Sequence, residues 1–298
     1  MWNGIGYAIV YAWIKVHALL PMPVLYVLSD ILYLIIYRVV LYRVRIVRRN
    51  MKNAFPEKSE KELRQMEREF YRHFSDYIVE TIKLAHISLK EIRERARLNN
   101  PELIDRLMEE GHTCVMLVMG HYGNWEWFTH SPSAFADARV YQIYRPLSSR
   151  IFDKLFISLR TQFGAYGIKK NDTVRDIIRL KKDRERSVVL FIADQTPSVA
   201  NIHYRTNFLN QETPMYTGPE RIARKMDMPV LFVDTKKIRR GYYTVDFEII
   251  TTTPKETPEF WITEQYARRM ENCILRNPAC WLWTHKRWKH KGSQIEKR

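Results

Sequence analysis

Several short motifs that mark large enzyme classes are absent from this 298-residue chain. It contains no G-x-S-x-G elbow, no G-x-x-x-x-G-K-[ST] loop and no G-x-G-x-x-G fingerprint. These motifs build a serine nucleophile, a nucleotide phosphate cradle and a dinucleotide site. Their absence argues against a serine hydrolase, a nucleotide hydrolase and a dinucleotide-dependent oxidoreductase.

Cysteine is scarce as well. Cys114, Cys273 and Cys280 are odd in number, widely spaced and without a C-x-x-C pair. This pattern indicates reduced thiols in a cytosol-facing protein rather than a disulfide framework. Closely spaced histidines occur only in the basic tail around His285 and His290, so we expect no zinc site and propose no metal.

Positive charge is in excess, with 49 Lys and Arg against 33 Asp and Glu, a net charge of +16 and a pI of about 9.7. A basic protein is attracted to nucleic acid, anionic lipid, a phosphorylated substrate or an acidic carrier protein, and charge alone does not choose among them. The apolar fraction of 46% excludes a disordered chain. The length suits one large α/β domain, or a domain plus an extension.

The amino-terminal region is unusually apolar. Residues 22–41 form an almost continuous apolar stretch, without the basic start or cleavage site of a removable signal peptide. Asp30 and Arg38 interrupt it, and an ionised group at mid-bilayer costs a few kcal/mol or more, so a spanning helix, an interfacial hairpin and a buried core helix all stay open. A basic block follows that favours anionic headgroups on the cytoplasmic side: Arg38, Arg43, Arg45, Arg48, Arg49 and Lys52. We predict that residues 1–50 form membrane-anchoring or interfacial helices and that residues 51–298 form the body.

The body alternates predicted strands with predicted helices. The strand candidates are residues 113–119, 140–144, 188–193, 230–233 and 243–250, and helical stretches fall between them at 151–163, 173–182 and 219–226. This alternation predicts an α/β fold with a mainly parallel central sheet flanked by helices, the last strand entering antiparallel. Ser59 and Glu62 have the spacing of a helix capping box.

The most informative motif is Gly120-His121-Tyr122-Gly123-Asn124-Trp125-Glu126, which follows the first apolar strand candidate. Because ligands and chemistry gather at the carboxyl ends of strands in open α/β sheets, we interpret His121 as a general base and Glu126 as the acid that orients it. Backbone amides near Gly123 and Asn124 are candidate oxyanion donors. No serine or cysteine nucleophile accompanies the histidine, which favours direct transfer to an external hydroxyl.

Two other strand candidates end in polar side chains. Arg145 follows the second one and could bind a carbonyl, phosphate or carboxylate group, although a solvated arginine is the plainer interpretation. Asp194 and Gln195 follow the third, where Asp194 is either functional or a turn cap. The segment from Trp281 to Lys289 mixes aromatic and basic side chains. It predicts either a nucleic-acid stacking surface or membrane-interface anchors, and the apolar amino terminus favours lipid.

Over nearly its whole length the chain resembles the late acyltransferases of lipid A biosynthesis, the lauroyl/myristoyl type within the lysophospholipid acyltransferase superfamily. The resemblance rests on the order of Arg49-Asn50-Met51, Phe55-Pro56-Glu57, the His121-x4-Glu126 signature, Tyr144-Arg145-Pro146, Asp194-Gln195 and Trp283-Thr284-His285-Lys286-Arg287-Trp288-Lys289. The chain departs from the family at Phe208-Leu209-Asn210, where a glycine is usual, and at Pro278-Ala279-Cys280, where Pro-Glu-Gln is usual.

The resemblance implies a single acyltransferase domain at the cytoplasmic face of the inner membrane. Its expected donor is acyl-acyl carrier protein, its acceptor a hydroxyl of a membrane glycolipid in lipopolysaccharide biosynthesis, and no cofactor or nucleic acid is expected. In this interpretation Arg145, Gly123, Asn124, Asp194 and Gln195 bind substrate or the oxyanion. Two alternatives stay open, an O-acyltransferase that acts on another membrane lipid and a non-catalytic basic protein that binds membranes or nucleic acid.

Overall fold

The computed structural model describes residues 2–135 and 137–290, with side chains from residue 10 onward. In this part of the chain the strands are β1 Ala96–Leu98, β2 Cys114–Met119, β3 Arg139–Tyr144, β4 Tyr166–Lys169, β5 Ser187–Ile192, β6 Arg205–Phe208, β7 Gln211–Pro214, β8 Val230–Arg239 and β9 Tyr242–Thr251. Seven of them form a central sheet of order β1-β9-β8-β2-β5-β3-β4, and β6 and β7 form a separate two-stranded hairpin.

β2 lies in the middle of the sheet and is buried along its whole length. Met116 and Val118 enter the core on one face of the sheet, while Val115 and Leu117 enter it on the other. A strand covered on both faces has apolar residues at every position, which explains the continuous run in the sequence. β2 pairs in parallel with β5 and β8, and β9 runs antiparallel to β8. The predicted α/β fold with a mainly parallel sheet is therefore confirmed.

Helices cover both faces of the sheet. Those of the described residues are α1 Trp2–Ala18, α2 Met22–Leu34, α3 Val44–Ala54, α4 Glu60–Lys83, α5 Leu89–Arg95, α6 Glu102–Glu109, α7 Arg150–Thr161, α8 Thr173–Lys182, α9 Gly218–Met226 and α10 Trp261–Arg276. α4 begins at the predicted capping box, since the Glu62 amide donates to Ser59 Oγ and the Ser59 amide donates to Glu62 Oε2. A 3-10 helix, Trp125–Ser133, follows the loop after β2.

The sequence pattern does not predict four short strands, which are β1, β4 and the two strands of the hairpin, β6 and β7. Each has only three or four residues, too few for a two-residue alternation to stand out. The hairpin turns at Leu209 and Asn210, which both have positive φ, at 51° and 58°. Two successive positive φ values define the tight turn that suits the right-handed twist of a β-hairpin, and asparagine tolerates this conformation, so Asn210 serves where the resemblance implies a glycine.

The amino-terminal helices are joined to the body through buried polar contacts. Ser29 Oγ donates to Asp76 Oδ1 at 2.8 Å, and Tyr26 Oη donates to Glu80 Oε1 at 3.0 Å, so α2 is fixed against α4. The outward side of the same region carries exposed apolar side chains at Trp13, Val16, Leu19, Val24, Val27, Ile31, Leu34, Ile35, Val39, Val40 and Leu41. Residues 22–39, which run from α2 into a π-helical turn, are long and apolar enough to cross a membrane.

Candidate active site

His121 and Asp194 meet because their strands are neighbours. His121 follows the end of β2 and Asp194 follows the end of β5, and these parallel strands are in register from Cys114 opposite Ser187 to Met119 opposite Ile192. The Ala193 amide still donates to the Met119 carbonyl at 3.0 Å, which carries the pairing one residue beyond the strands. Adjacent parallel strands end at the same edge of the sheet, so the next side chains along each are brought together.

The His121 imidazole is held by the Asp194 carboxylate. Nδ1 of His121 lies 2.6 Å from Asp194 Oδ1, and the His121 amide donates to Oδ2 at 3.0 Å. The Trp281 indole donates to the same Oδ2 at 2.8 Å. Because a carboxylate only accepts hydrogen bonds, Nδ1 carries the proton and Nε2 keeps its free lone pair. The His121 side chain is 19% exposed, so the imidazole is partly accessible from the surface.

The surroundings of Asp194 keep it ionised. Burial opposes the charged form, but the His121 charge and the hydrogen bonds from the His121 imidazole, the Trp281 indole and the His121 amide outweigh it and lower the Asp194 pKa to about 2. Gln195, the next residue, places its amide nitrogen 3.4 Å from His121 Nε2. The structure therefore brings His121, Asp194 and Gln195 together at one point.

Glu126 does not hold the imidazole, contrary to the sequence-based interpretation of the His121-x4-Glu126 motif. Its carboxylate accepts from Arg160 at 2.8 and 2.5 Å and from the Trp125 indole at 3.2 Å. The chain turns at Gly123 and enters the 3-10 helix, which directs Glu126 toward Arg160 on α7. The Trp125 side chain contacts both groups, since its indole donates to Glu126 and its ring packs against the imidazole in a T-shaped arrangement, with 5.1 Å between centroids.

The Gly123 amide and the Asn124 side chain are occupied in the loop that carries His121. The Gly123 amide donates to the Cys280 carbonyl at 3.0 Å, so it is not free to bind an oxyanion as proposed from the sequence. The Asn124 side chain donates to Glu80 Oε2 at 2.7 Å and accepts from the Trp127 amide, capping the 3-10 helix. Gly123 has φ of +63°, and a Cβ there would lie 2.9 Å from Thr235 Cγ2, so this turn requires glycine.

Arg145 lies outside the hydrogen-bonded pair of His121 and Asp194, here called the dyad. It is exposed at the end of β3 and lines a cavity of about 30 Å³ with Tyr144, Leu147, Phe156 and Arg160. Among the described residues, no hydrogen bond joins Arg145 to His121 or Asp194. The cavity nevertheless contacts the Arg160 side chain that binds Glu126, so Arg145 and Glu126 share a neighbour.

Residues 281–290, here called the C-terminal strap, form part of the site. The Leu282 amide donates to the His121 carbonyl at 3.2 Å, and the Asn50 side chain on α3 donates to the Trp283 carbonyl at 3.0 Å. Trp281, Trp283 and Arg287 are at most 2% exposed. Trp281 and Trp283 are core residues and Trp288 packs against the core, so these rings are not free as a nucleic-acid stacking surface or as membrane-interface anchors, the two interpretations that the sequence predicted. In the sequence, both Asn50 and residues 283–289 belong to the motifs that carry the family resemblance. This was the sequence feature that could have indicated a role for the strap at the site.

Within residues 2–135 and 137–290, no cluster of three or more His, Cys, Asp or Glu side chains is placed to hold a metal ion. The three cysteines are buried as free thiols, and burial raises the pKa of Cys114 to about 11 and that of Cys280 to about 12. Neither thiol is an activated nucleophile at neutral pH.

Comparison with known proteins gives two findings. The sequence model of a family described as bacterial lipid A biosynthesis acyltransferase matches residues 3–290. A curated relative, the lipid A biosynthesis lauroyltransferase of Escherichia coli strain K12, is 25% identical over 308 residues, which cover 100% of this chain and 94% of the relative. The match includes the amino-terminal helices, the dyad and the C-terminal strap.

Proposed function

Because the chain belongs to the bacterial lipid A biosynthesis acyltransferase family and is therefore an acyltransferase, we propose that it moves a fatty acyl chain from an acyl carrier protein thioester to a hydroxyl of a lipid A precursor. The observation that carries the mechanism is the 2.6 Å contact of His121 Nδ1 with Asp194, which leaves Nε2 as the free base. Family membership argues against the non-catalytic alternative. Another membrane lipid as acceptor is left to the experiment below.

In the proposed mechanism, His121 Nε2 takes the proton of the acceptor hydroxyl while the hydroxyl oxygen attacks the thioester carbonyl. Asp194 keeps the imidazole in the tautomer with the proton on Nδ1 and stabilises the imidazolium that forms. The imidazolium then protonates the leaving thiolate of the carrier. The thioester is already activated, so the transfer needs neither a covalent enzyme intermediate nor a cofactor. A positioned general base contributes about 10²–10⁴-fold to such a step.

Gln195 is the proposed donor to the oxyanion. Its side-chain amide lies 3.4 Å from His121 Nε2 and is exposed, so a small rotation takes it from the imidazole to a carbonyl oxygen beside it. Arg145 keeps its proposed role in binding substrate, as an exposed cation at the same edge of the sheet. Glu126 acts in this proposal through Arg160, by fixing the loop and α7 relative to each other.

We propose that the exposed apolar side of α1, α2 and the π-helical turn lies in the inner membrane, with the body on the cytoplasmic face. Arg45 and Arg49 on α3 are exposed directly after this apolar side, where anionic headgroups would contact them. Net charge of +16 also suits an acidic carrier protein and a phosphorylated acceptor, and both attractions weaken as salt rises.

The test is acyl transfer from acyl-acyl carrier protein to a lipid A precursor by the full-length protein in detergent or vesicles. His121→Asn is expected to lower kcat about 10²–10⁴-fold without loss of thermal stability. His203→Asn, at an exposed histidine outside the site, is the matched control and should keep the wild-type rate. A His121→Asn rate close to wild type would contradict the proposed base.

The acceptor is tested separately, by mass spectrometry of lipids from cells with and without the gene. We expect the loss of one acyl chain from lipid A species, restored by the wild-type gene and not by His121→Asn. A change confined to phospholipids would overturn the lipid A acceptor and favour a glycerolipid or aminolipid instead.

A further inference from the structure

Arg287 is a buried cation without a carboxylate bound to it. The residue is 1% exposed, and its Nε and Nη1 atoms are buried without a hydrogen-bond partner among the described residues. Nη2 contacts the Met215 sulfur at 3.1 Å, and the Phe208 ring lies 6.0 Å from the guanidinium carbon. Burial of a charge is costly unless the charge is paired, so an unpaired guanidinium at this depth calls for a functional explanation.

The strap holds Arg287 against the loop that carries Asp194. Thr196, two residues after Asp194, donates from its hydroxyl to the Arg287 carbonyl, and the Thr196 amide lies 3.3 Å from His285 Nε2. Trp281, at the start of the strap, donates to the Asp194 carboxylate. These contacts fix the Arg287 backbone beside the loop of Asp194. Asp194 is the carboxylate that attracts the Arg287 charge.

The other titratable groups near the pair are neutral or exposed. Tyr266 on α10 is buried, and its hydroxyl donates to the Met119 carbonyl at 3.0 Å. Burial lowers the pKa of His285 on the strap to about 4, and nearby Arg287 and His121 act in the same direction. Lys289 is exposed and screened by solvent. Among these groups Arg287 is the desolvated positive charge.

We propose that Arg287 is a positioning residue that acts through Asp194 and His121. Its buried positive charge opposes the uptake of a further proton by the His121–Asp194 pair, which favours the state in which Nε2 can accept a proton from a substrate. This inference rests on the proposed function of His121 as general base. The sign follows from charge: adding a proton to the pair adds a positive charge near the guanidinium, which opposes it. Loss of the guanidinium should let the pair take up its proton at higher pH.

The experiment measures the titration of His121 directly, without substrate. Diethyl pyrocarbonate modifies neutral imidazole, so the modification rate of the His121 peptide, followed by mass spectrometry from pH 5 to 8, gives its protonation midpoint. In Arg287→Met and Arg287→Gln we expect the midpoint to rise by about half to one pH unit, as for loss of one nearby charge at an intermediate dielectric. Arg287→Lys should shift it less than either neutral variant.

Trp288→Phe is the matched control on the same strap. It removes the hydrogen bond from the Trp288 indole to Thr213 Oγ1, 2.7 Å long, without changing charge, so the strap is loosened and the His121 midpoint should stay at its wild-type value. The acid limb of kcat/KM should move with the labelling midpoint in the Arg287 variants, whereas a merely structural role would lower the rate equally at every pH. Two neutral variants are used because one of them could fail to fold.

A wild-type midpoint in a folded neutral variant would overturn the proposal, as would an equal shift in Trp288→Phe. The labelling result is independent of acyl transfer. A shifted midpoint in the Arg287 variants, combined with an active His121→Asn, would therefore reject His121 as the general base and support the electrostatic coupling. An unshifted midpoint, combined with an inactive His121→Asn, would support the general base and reject the coupling.

Discussion

Two buried carboxylates flank the His121 loop, and their partners differ in kind. Glu126 is 3% exposed and receives two hydrogen bonds from the Arg160 guanidinium, so its charge is already neutralised. Asp194 is 4% exposed and receives its hydrogen bonds from an imidazole, an indole and a backbone amide. Only the second arrangement leaves a carboxylate that responds when the imidazole gains a proton. In this chain the carboxylate that contacts His121 is the one without an arginine partner, and the distance along the chain does not identify it.

The variant with the largest expected effect on the contrast between Asp194 and Glu126 is Asp194→Asn. The His121 amide and the Trp281 indole both need an acceptor at the Oδ2 position, so the asparagine NH2 group would face Nδ1 and favour the wrong tautomer. By analogy with hydrolase triads we expect kcat to fall about 10³–10⁴-fold while the fold persists. Acyl transfer assays combined with thermal unfolding check this. A smaller rate loss for Asp194→Asn than for Glu126→Gln would reverse the assignment of the two carboxylates.

Glu126→Gln should affect stability first and rate second. It leaves the Arg160 cation without its partner, and because Arg160 is partly exposed we expect a loss of about 1–3 kcal/mol in the free energy of unfolding, below the range for fully buried pairs. The rate should fall about ten- to a hundredfold as the loop loosens. Denaturant unfolding and acyl transfer are the measurements.

The charge-neutral double variant Glu126→Gln/Arg160→Met is the control for this prediction. It removes both charges, so it should recover part of the stability and of the rate that the single variant loses. A double variant as slow as Asp194→Asn would instead give Glu126 a direct part in the reaction.

A smaller effect concerns the neutral histidine behind the loop. His73 Nε2 lies 3.2 Å from the Gly123 carbonyl and its Nδ1 lies 3.2 Å from Lys237 Nζ. Burial and the Lys237 charge lower the His73 pKa well below its ordinary value. The unfolded chain takes up a proton below about pH 6.5 and the folded chain does not, so this stability is present above pH 6.5 and is lost as pH falls toward the folded pKa.

We therefore expect the free energy of unfolding to decrease below pH 6.5 by up to about 1.4 kcal/mol per pH unit from His73 alone. His73→Gln should flatten this slope even though it lowers stability at pH 7, whereas His203→Asn, at an exposed position, should leave it steep. Chemical denaturation from pH 7.5 to 5 gives the slope of unfolding free energy against pH for each variant. An unchanged slope in His73→Gln would show that His73 does not contribute to this pH dependence.

The sheet could be predicted from sequence because its central strands are long and apolar. Residues 113–119 and 188–193 stand out as buried runs, and the rule that chemistry gathers at strand carboxyl ends selected both His121 and Asp194. Their pairing could not be derived, since it depends on β2 and β5 being neighbours although they lie about seventy residues apart in the chain. Spacing along the chain instead suggested Glu126.

The strap illustrates a second limit. Trp281, Trp283 and Arg287 have the composition of a surface anchor, yet they are buried, because residues 50, 122 and 194 hold the segment through hydrogen bonds and a β-bridge. A local pattern does not reveal whether distant parts of the chain supply such partners. The burial of an arginine is the least predictable of these facts, since composition alone places it in water.

The hydrogen bonds of Ser29 with Asp76 and of Tyr26 with Glu80 hold α2 rigidly against α4, so α2 is not a flexible attachment. With the apolar side in the bilayer, as proposed, this rigid attachment holds the imidazole at one height and one tilt above the lipid. A hydroxyl nearer to or farther from the acyl region of its own molecule would then stay out of reach. The choice of which hydroxyl is esterified would be set by the manner of attachment as much as by contacts around the dyad.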